Sequence, residues 1–214
     1  MSNFIDFVFH IDQHLVNLVH TFGGWSYLIM FGIIFLETGV VIMPFLPGDS
    51  LLFAASALAV NPVYHLNEWL VFLIFLFACV LGDSSNFFIG RDAEKILVKH
   101  HLFKKLISDK NLNKGKSFFN KYGSGSIVLA RFVPIARTFV PFIAAGSGYS
   151  YKKFLIRNIF GCCLWVIVCC GAGHFWGNIP FVKEHFSLVV LLIIFVSVLP
   201  AVITVIFNKI RHKN

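Results

Sequence analysis

GSGSIVLARFVPIARTFVPFIAAGSG, residues 123–148, decides how this chain is read. The run is apolar and long enough to suggest a membrane crossing. Yet it holds Arg131 and Arg137, Pro134 and Pro141, and glycines at 123, 125, 146 and 148. Proline removes a backbone donor and breaks a helix interior, and irregular backbone at membrane depth survives only where protein buries it or water reaches it. The stretch therefore reads as a re-entrant hairpin that dips into the bilayer and returns to its own side. A second stretch, residues 44–60, begins Pro-Phe-Leu-Pro-Gly-Asp, is too short to cross, and reads the same way.

Around these lie four apolar runs of crossing length: Gly24 to Met43, Leu70 to Gly90, Phe154 to Trp176, and Phe186 to Phe207, which has no charge in 22 residues. About 20 apolar residues cross the hydrocarbon core. The composition agrees, with 57% hydrophobic and 13% charged residues and a mean hydropathy of +0.80, against about 25% charged in soluble domains. A soluble enzyme, a disordered regulator and a disulfide scaffold are all disfavoured. The net charge of +8 is concentrated, with nine Lys/Arg against three acids between Arg91 and Lys121. A single basic loop of this kind argues against nucleic-acid binding and for a membrane protein obeying the positive-inside rule. Placing 91–121 in the cytoplasm brings Lys152, Lys153 and the basic tail, 209–214, to the same side, with both termini cytoplasmic.

Residues 1–22 carry Asp6, His10, Gln13, His14, Asn17 and His20 at helical spacing among apolar residues. This reads as an amphipathic helix on the membrane surface rather than a cleaved signal peptide. His10 and His14 have metal-ligand spacing but no third ligand nearby, so no metal is expected. The membrane domain proper is 23–208. Within it an offset of 87 residues places Pro47 on Pro134, Gly90 on Gly177, Phe45 on Phe132, Ala57 on Ala144 and Phe88 on Phe175. Each unit so defined is a proline-broken hairpin followed by a full span. With the hairpins entering from opposite sides, the two form an inverted repeat, a transporter architecture. The expected fold is thus an all-α polytopic membrane protein, an inverted repeat of re-entrant hairpin plus transmembrane helix with an N-terminal amphipathic helix.

Four charges interrupt apolar sequence: Glu37, Asp49, Arg131 and Arg137. Each Asp or Arg at a helix centre costs about 2.5–3.5 kcal/mol on insertion scales. Glu37 and Asp49 would lie about 18 Å apart on a continuous helix, and Pro44 and Pro47 allow the path to turn. Arg131 and Arg137 would point about 240° apart on an unbroken helix, and Pro134 between them allows a bend. Arginine suits a buried anion because its planar fork binds phosphate or carboxylate bidentately and stays charged. The acids suit proton handling, because burial raises a carboxylate pKa and a neighbouring arginine lowers it. Protonating one acid would offset the charge of a bound phosphate monoester, about −1.5 to −2. The competing reading is that these charges only hold the hairpins together, since buried pairs can be architecture alone. Asp83 and Asn86 are secondary candidates. With Arg91, Arg157 and Asn158 they lie near span ends, where snorkelling or helix–helix hydrogen bonds account for them.

Cys79, Cys162, Cys163, Cys169 and Cys170 all fall in spans and read as small buried hydrophobes. His174, near the end of the third span, reads as an interfacial side chain or a proton shuttle. No nucleophile elbow, P-loop, HExxH or nucleotide fingerprint is present, so neither an enzyme nor a cofactor is expected.

Several stretches resemble signatures of the DedA family of bacterial inner-membrane proteins. They are Phe35-Leu36-Glu37-Thr38-Gly39 with Pro44 through Phe53, Gly82-Asp83-x-x-Asn86-x-x-Ile89-Gly90-Arg91, Ala130 through Phe142 with Ala145-Gly146, and Asn158-x-x-Gly161-x-x-x-Trp165. The resemblance implies a fold with two re-entrant hairpins, shared with eukaryotic lipid scramblases. It also implies lipid transport dependent on the proton motive force, with undecaprenyl phosphate as the lipid. By position, Glu37 and Asp49 match the family's essential acids, and Arg131 and Arg137 its essential arginines. The reading is a carrier, or flippase, that returns a polyprenyl phosphate to the cytoplasmic leaflet, with Arg131 and Arg137 on the phosphate and Glu37 and Asp49 exchanging a proton. Its partners are a membrane lipid and protons, and a homo-oligomer stays open. The alternatives are a scramblase or flippase for phospholipids such as phosphatidylethanolamine, and a proton-coupled exporter of cationic solutes.

Overall fold

A computed structural model describes residues 11–39, 48–92 and 123–177, together with 179, 180, 182, 188, 189 and 191–193. Every regular element among the described residues is helical. In chain order they are α1 (Ile11–Phe22), α2 (Trp25–Gly39), α3 (Gly48–Ala59), a 3-10 turn at Pro62–Tyr64, and α4 (Glu68–Arg91). Then follow a 3-10 turn (Gly123–Gly125), α5 (Ser126–Leu129), a 3-10 turn (Ala130–Phe132), α6 (Pro134–Gly146) and α7 (Tyr151–Gly177). The 24-residue α4 and the 27-residue α7 are long and apolar enough to cross a membrane, at about 36 and 40 Å against a core of about 30 Å. They correspond to the second and third crossings read from the sequence. The first is represented by α2, with 40–43 outside the described residues, and most of the fourth lies outside them. So do residues 1–10, most of the basic loop 91–121 and the tail 209–214.

The chain forms two compact units. The first comprises Met1–Ile33, Pro47–Phe77 and Val166–Asn214. Its centre is α3, buried from Ser50 to Leu58 on every side, as expected of a helix without a polar stripe. At about 18 Å it is too short to cross the bilayer. It packs on the closing half of α7, where Ser56 Oγ donates to the Cys170 carbonyl at 2.9 Å. The backbones touch there because α7 offers glycine: a Cβ on Gly177 would lie 2.9 Å from Ala57 Cα, and one on Gly173 would collide with the Phe53 carbonyl. Between α3 and α4 the chain turns on Asn61, whose Oδ1 accepts from Val63 N at 3.1 Å. The Tyr27 hydroxyl then accepts from Asn67 N at 2.7 Å.

The second unit comprises Ile34–Leu46 and Ala78–Trp165. Its core is Phe87, Ile127, Ala130, Val140, Ala144, Ala145 and Phe154, with the Phe87 and Phe154 rings 4.6 Å apart. The stretch 123–148 is broken at Pro134 but not at Pro141, which lies inside α6. Val133 is extended (φ −119°, ψ 109°), and Pro134 starts α6 in its first turn, where its missing N–H has no helical partner to lose. α6 ends in a turn through Gly148 (φ +75°), with Tyr149 N bonded to the Ala144 carbonyl at 3.0 Å. It lies against the closing half of α4, where a Cβ on Gly90 would sit 2.6 Å from Phe142 Cα. Both units therefore use the same joint, a short helix seated on a glycine near the end of a long one. Gly90 and Gly177 are the pair related by the 87-residue offset.

The interior combines an apolar core with an unusual number of polar and charged side chains. Glu37, Asp83, Asn86, Arg131 and Asn158 are buried, whereas Trp69, Phe77, Ile156, Phe160 and Phe175 are exposed. Buried charges together with many exposed large apolar side chains suit a chain whose outer solvent is not water.

Candidate functional site: two buried ion pairs in the second unit

Glycine places the first pair of acids. The backbones of α2 and α4 meet at Gly39 and Gly82, where a Cβ on Gly39 would lie 3.2 Å from Gly82 Cα. Thr38 fits the contact by folding its hydroxyl back onto the Ile34 carbonyl at 2.9 Å. Glu37 and Asp83, each adjacent to the crossing in sequence, are both buried, Glu37 completely.

An arginine from the broken segment meets each acid. Arg137 Nη2, on α6, pairs with Glu37 Oε1, and Arg131 Nη2, on the turn before the break, pairs with Asp83 Oδ2. The side chains of Arg131 and Asp83 are each 5% exposed. Arg131 also donates to Asn158 Oδ1 of α7 at 3.0 Å, and the Cys162 thiol lies 3.6 Å from the same oxygen and 3.9 Å from Asp83 Oδ2. Both guanidinium groups face one indole: their central carbons lie 5.8 Å (Arg131) and 5.4 Å (Arg137) from the Trp165 ring centre. The extended Val133 between the two arginines is what lets both turn to the same ring. Cation–π attraction of this kind strengthens when the partners are desolvated. On the remaining side, Asn86 Nδ2 donates to the Thr138 carbonyl at 2.7 Å.

Of the primary residues read from the sequence, Glu37, Arg131 and Arg137 thus belong to this cluster. Asp49 belongs to the first unit, partly buried in the first turn of α3, where a carboxylate complements the helix dipole. The unit boundary falls between Leu46 and Pro47, between the two acids.

Asp83, read as a span-end residue, is instead a full member of the cluster. It lies more than two turns short of the end of α4 and is 4% exposed. Asn86 and Asn158 make the inter-helix hydrogen bonds expected of such residues, while Arg91 and Arg157 are exposed, Arg91 over the Phe88 ring at 4.9 Å. Trp165 was not singled out as a contact by charge or spacing. The signal for Asp83 was available in the pattern Gly82-Asp83-x-x-Asn86, which puts a glycine contact and two polar side chains on one face of an apolar helix.

In the first unit, His174 Nδ1 lies 2.6 Å from Glu68 Oε1, both about half-exposed, at the edge of an apolar cavity of about 310 Å³. The five cysteines are free thiols. The described residues contain no His/Cys/Asp/Glu group able to hold a metal ion.

Paired with carboxylates, the two arginines leave the cluster neutral. Burial strengthens both pairs, and neutralising one member of a pair would leave its partner as an uncompensated buried charge.

Comparisons with known proteins agree with this architecture. A family model described as the VTT domain matches residues 46–175. The chain is 45% identical over 211 residues to Protein DedA of Escherichia coli (strain K12), covering 98% of this chain and 94% of that protein. It is 42% identical over 175 residues to an uncharacterized membrane protein of Mycobacterium tuberculosis, covering 80% and 75%. It is 33% identical over 181 residues to the inner membrane protein YghB of Salmonella typhimurium, covering 84% and 78%. No solved structure matches. On these similarities the chain belongs to the DedA family of VTT-domain membrane proteins.

Proposed function

We propose that the chain is a carrier, not an enzyme, that returns undecaprenyl phosphate across the bacterial inner membrane at the expense of the proton motive force. Its termini lie in the cytoplasm and its two hairpins are re-entrant and inversely related. The observation that carries the reading is the convergence of two buried arginine–carboxylate pairs on Trp165. With both acids protonated, the two arginines present two positive charges and two planar donor forks. They match what a phosphate monoester brings, about −1.5 to −2 charge and three acceptor oxygens.

In this mechanism a proton entering from the outer side neutralises Glu37 or Asp83. The released Arg137 or Arg131 then takes the phosphate. On the inner side the proton leaves, the carboxylate reclaims its arginine, and the lipid is expelled. Proton and anion thus travel together because each state of the arginine excludes the other. Asp49 serves as a further proton site in the first unit.

The test is translocation in proteoliposomes, comparing labelled polyprenyl phosphate with phosphatidylethanolamine, with and without an imposed pH gradient. Selective movement of the polyprenyl phosphate driven by the gradient is expected. Equal movement of both lipids regardless of the gradient would overturn the coupled carrier and leave a scramblase.

A further inference from the structure

Asn86 and Asn158 are 0% and 2% exposed, and each carboxamide is satisfied at one end. The Thr138 carbonyl can only accept, so Asn86 must turn its nitrogen to it; Arg131 can only donate, so Asn158 must turn its oxygen to it. The opposite ends are thereby fixed: Asn86 presents an acceptor, Oδ1, and Asn158 a donor, Nδ2. Both atoms are buried, and neither has a hydrogen-bond partner among the described residues.

The two amides lie at the same level. Asp83 of α4 stands beside Cys162 of α7, and Phe87 stacks on Phe154, so residue numbers run in opposite directions along the facing helices. Asn86 is one turn after Asp83 and Asn158 one turn before Cys162, so the facing helices carry the two amides at one level, with Asn158 bonded to Arg131. A buried acceptor and a buried donor near a guanidinium are satisfied together by a group that is at once acidic, anionic and hydroxyl-bearing, as they would be by a water, because buried polar groups are costly unless bonded.

Resting on the anion-carrier reading above, we propose that Asn86 and Asn158 form a subsite for the singly protonated headgroup of a phosphate monoester. Asn86 Oδ1 accepts from the P–OH, and Asn158 Nδ2, with Arg131, donates to a neighbouring phosphoryl oxygen. A phosphodiester headgroup has the same single charge but no P–OH, so it would leave the Asn86 oxygen unbonded. The subsite therefore selects monoesters over the diesters that make up bulk phospholipid. It also has one proton ride on the lipid itself.

The test uses the purified full chain in nanodiscs, with farnesyl phosphate and its methyl phosphodiester as probes, at about pH 5.5, below the second phosphate pKa near 6. Both probes then carry chiefly one negative charge. The expected result is monoester binding at least about tenfold tighter than diester binding, the loss typical of one buried hydrogen bond. Asn86→Leu should shrink that ratio toward one. Asn158→Ala, which removes a donor to an oxygen both probes possess, should weaken both and keep the ratio. Equal binding of the two probes by the wild-type chain would overturn the subsite while leaving the anion-carrier reading intact, and would assign the two amide ends to a bridging water. Binding of neither probe would overturn both. Should Asn86→Leu fail to fold, the wild-type ratio decides.

Discussion

The pair Asp83–Arg131 can be tested by a double-mutant cycle that separates holding from transporting. Breaking a buried pair by removing one partner costs about 3–5 kcal/mol, because an uncompensated charge stays behind. In Asp83→Asn the orphan is Arg131, which retains Asn158 Oδ1 at 3.0 Å and the face of Trp165. The cost should therefore fall near the lower end, about 3 kcal/mol. In Arg131→Met the orphan is Asp83, which can take up a proton and shed its charge, so about 2 kcal/mol is expected. The double variant Asp83→Asn/Arg131→Met leaves no buried charge and should lie within about 1 kcal/mol of wild type. The resulting coupling of about 4 kcal/mol far exceeds the average of about 0.6 kcal/mol for inter-helix hydrogen bonds in membranes. Reversible unfolding in mixed detergent–SDS micelles measures the three stabilities, and proteoliposome transport is assayed in parallel. Coupling below about 1 kcal/mol would refute the pairing as an energetic unit. Recovery of transport together with stability in the double variant would reduce the pair to architecture.

Arg137→Lys keeps the charge but loses the fork, so polyprenyl phosphate transport should fall at least about tenfold with folding preserved; normal transport in vesicles would remove Arg137 from the phosphate. Glu37→Gln mimics the protonated acid and frees Arg137, so anion binding titrated between about pH 5 and 8 should lose most of its rise toward low pH. An unchanged profile would show that Glu37 does not gate the site. Gly90→Ala should destabilise by about 1–3 kcal/mol, because its Cβ meets the Phe142 backbone. Gly171→Ala, with nothing within 4 Å, should be neutral or stabilising by up to about 1 kcal/mol; matching melting temperatures for the two would contradict the glycine joint.

The most legible parts of the sequence were those where the membrane makes polarity expensive. Glu37, Arg131 and Arg137 stood out because a charge in an apolar run needs a partner, and Pro134 because proline disfavours a helical residue before it, whereas Pro141 sits inside α6 without breaking it. The partner of Arg131 was harder to see. Asp83 looks peripheral because it lies in the closing half of its span, and the approach of Gly39 to Gly82 is what explains its burial. Trp165 carries no polarity signal among 26 phenylalanines and four tryptophans, and its role follows from where the break aims two side chains. The expectation that Pro44 and Pro47 draw Glu37 and Asp49 together falls on residues outside the described ones.

The division of α4 and α7 between two units bears on how the protein is made. A nascent chain emerging in order can complete the second unit once Trp165 has been synthesised, since all its segments lie before that point. The first unit cannot close until Val166–Gly177 follows, although α3 was produced more than a hundred residues earlier. Throughout that interval α3, which is too short to stand across the bilayer, lacks the surface that finally covers it. That interval is when the growing chain is most exposed to mispacking of α3.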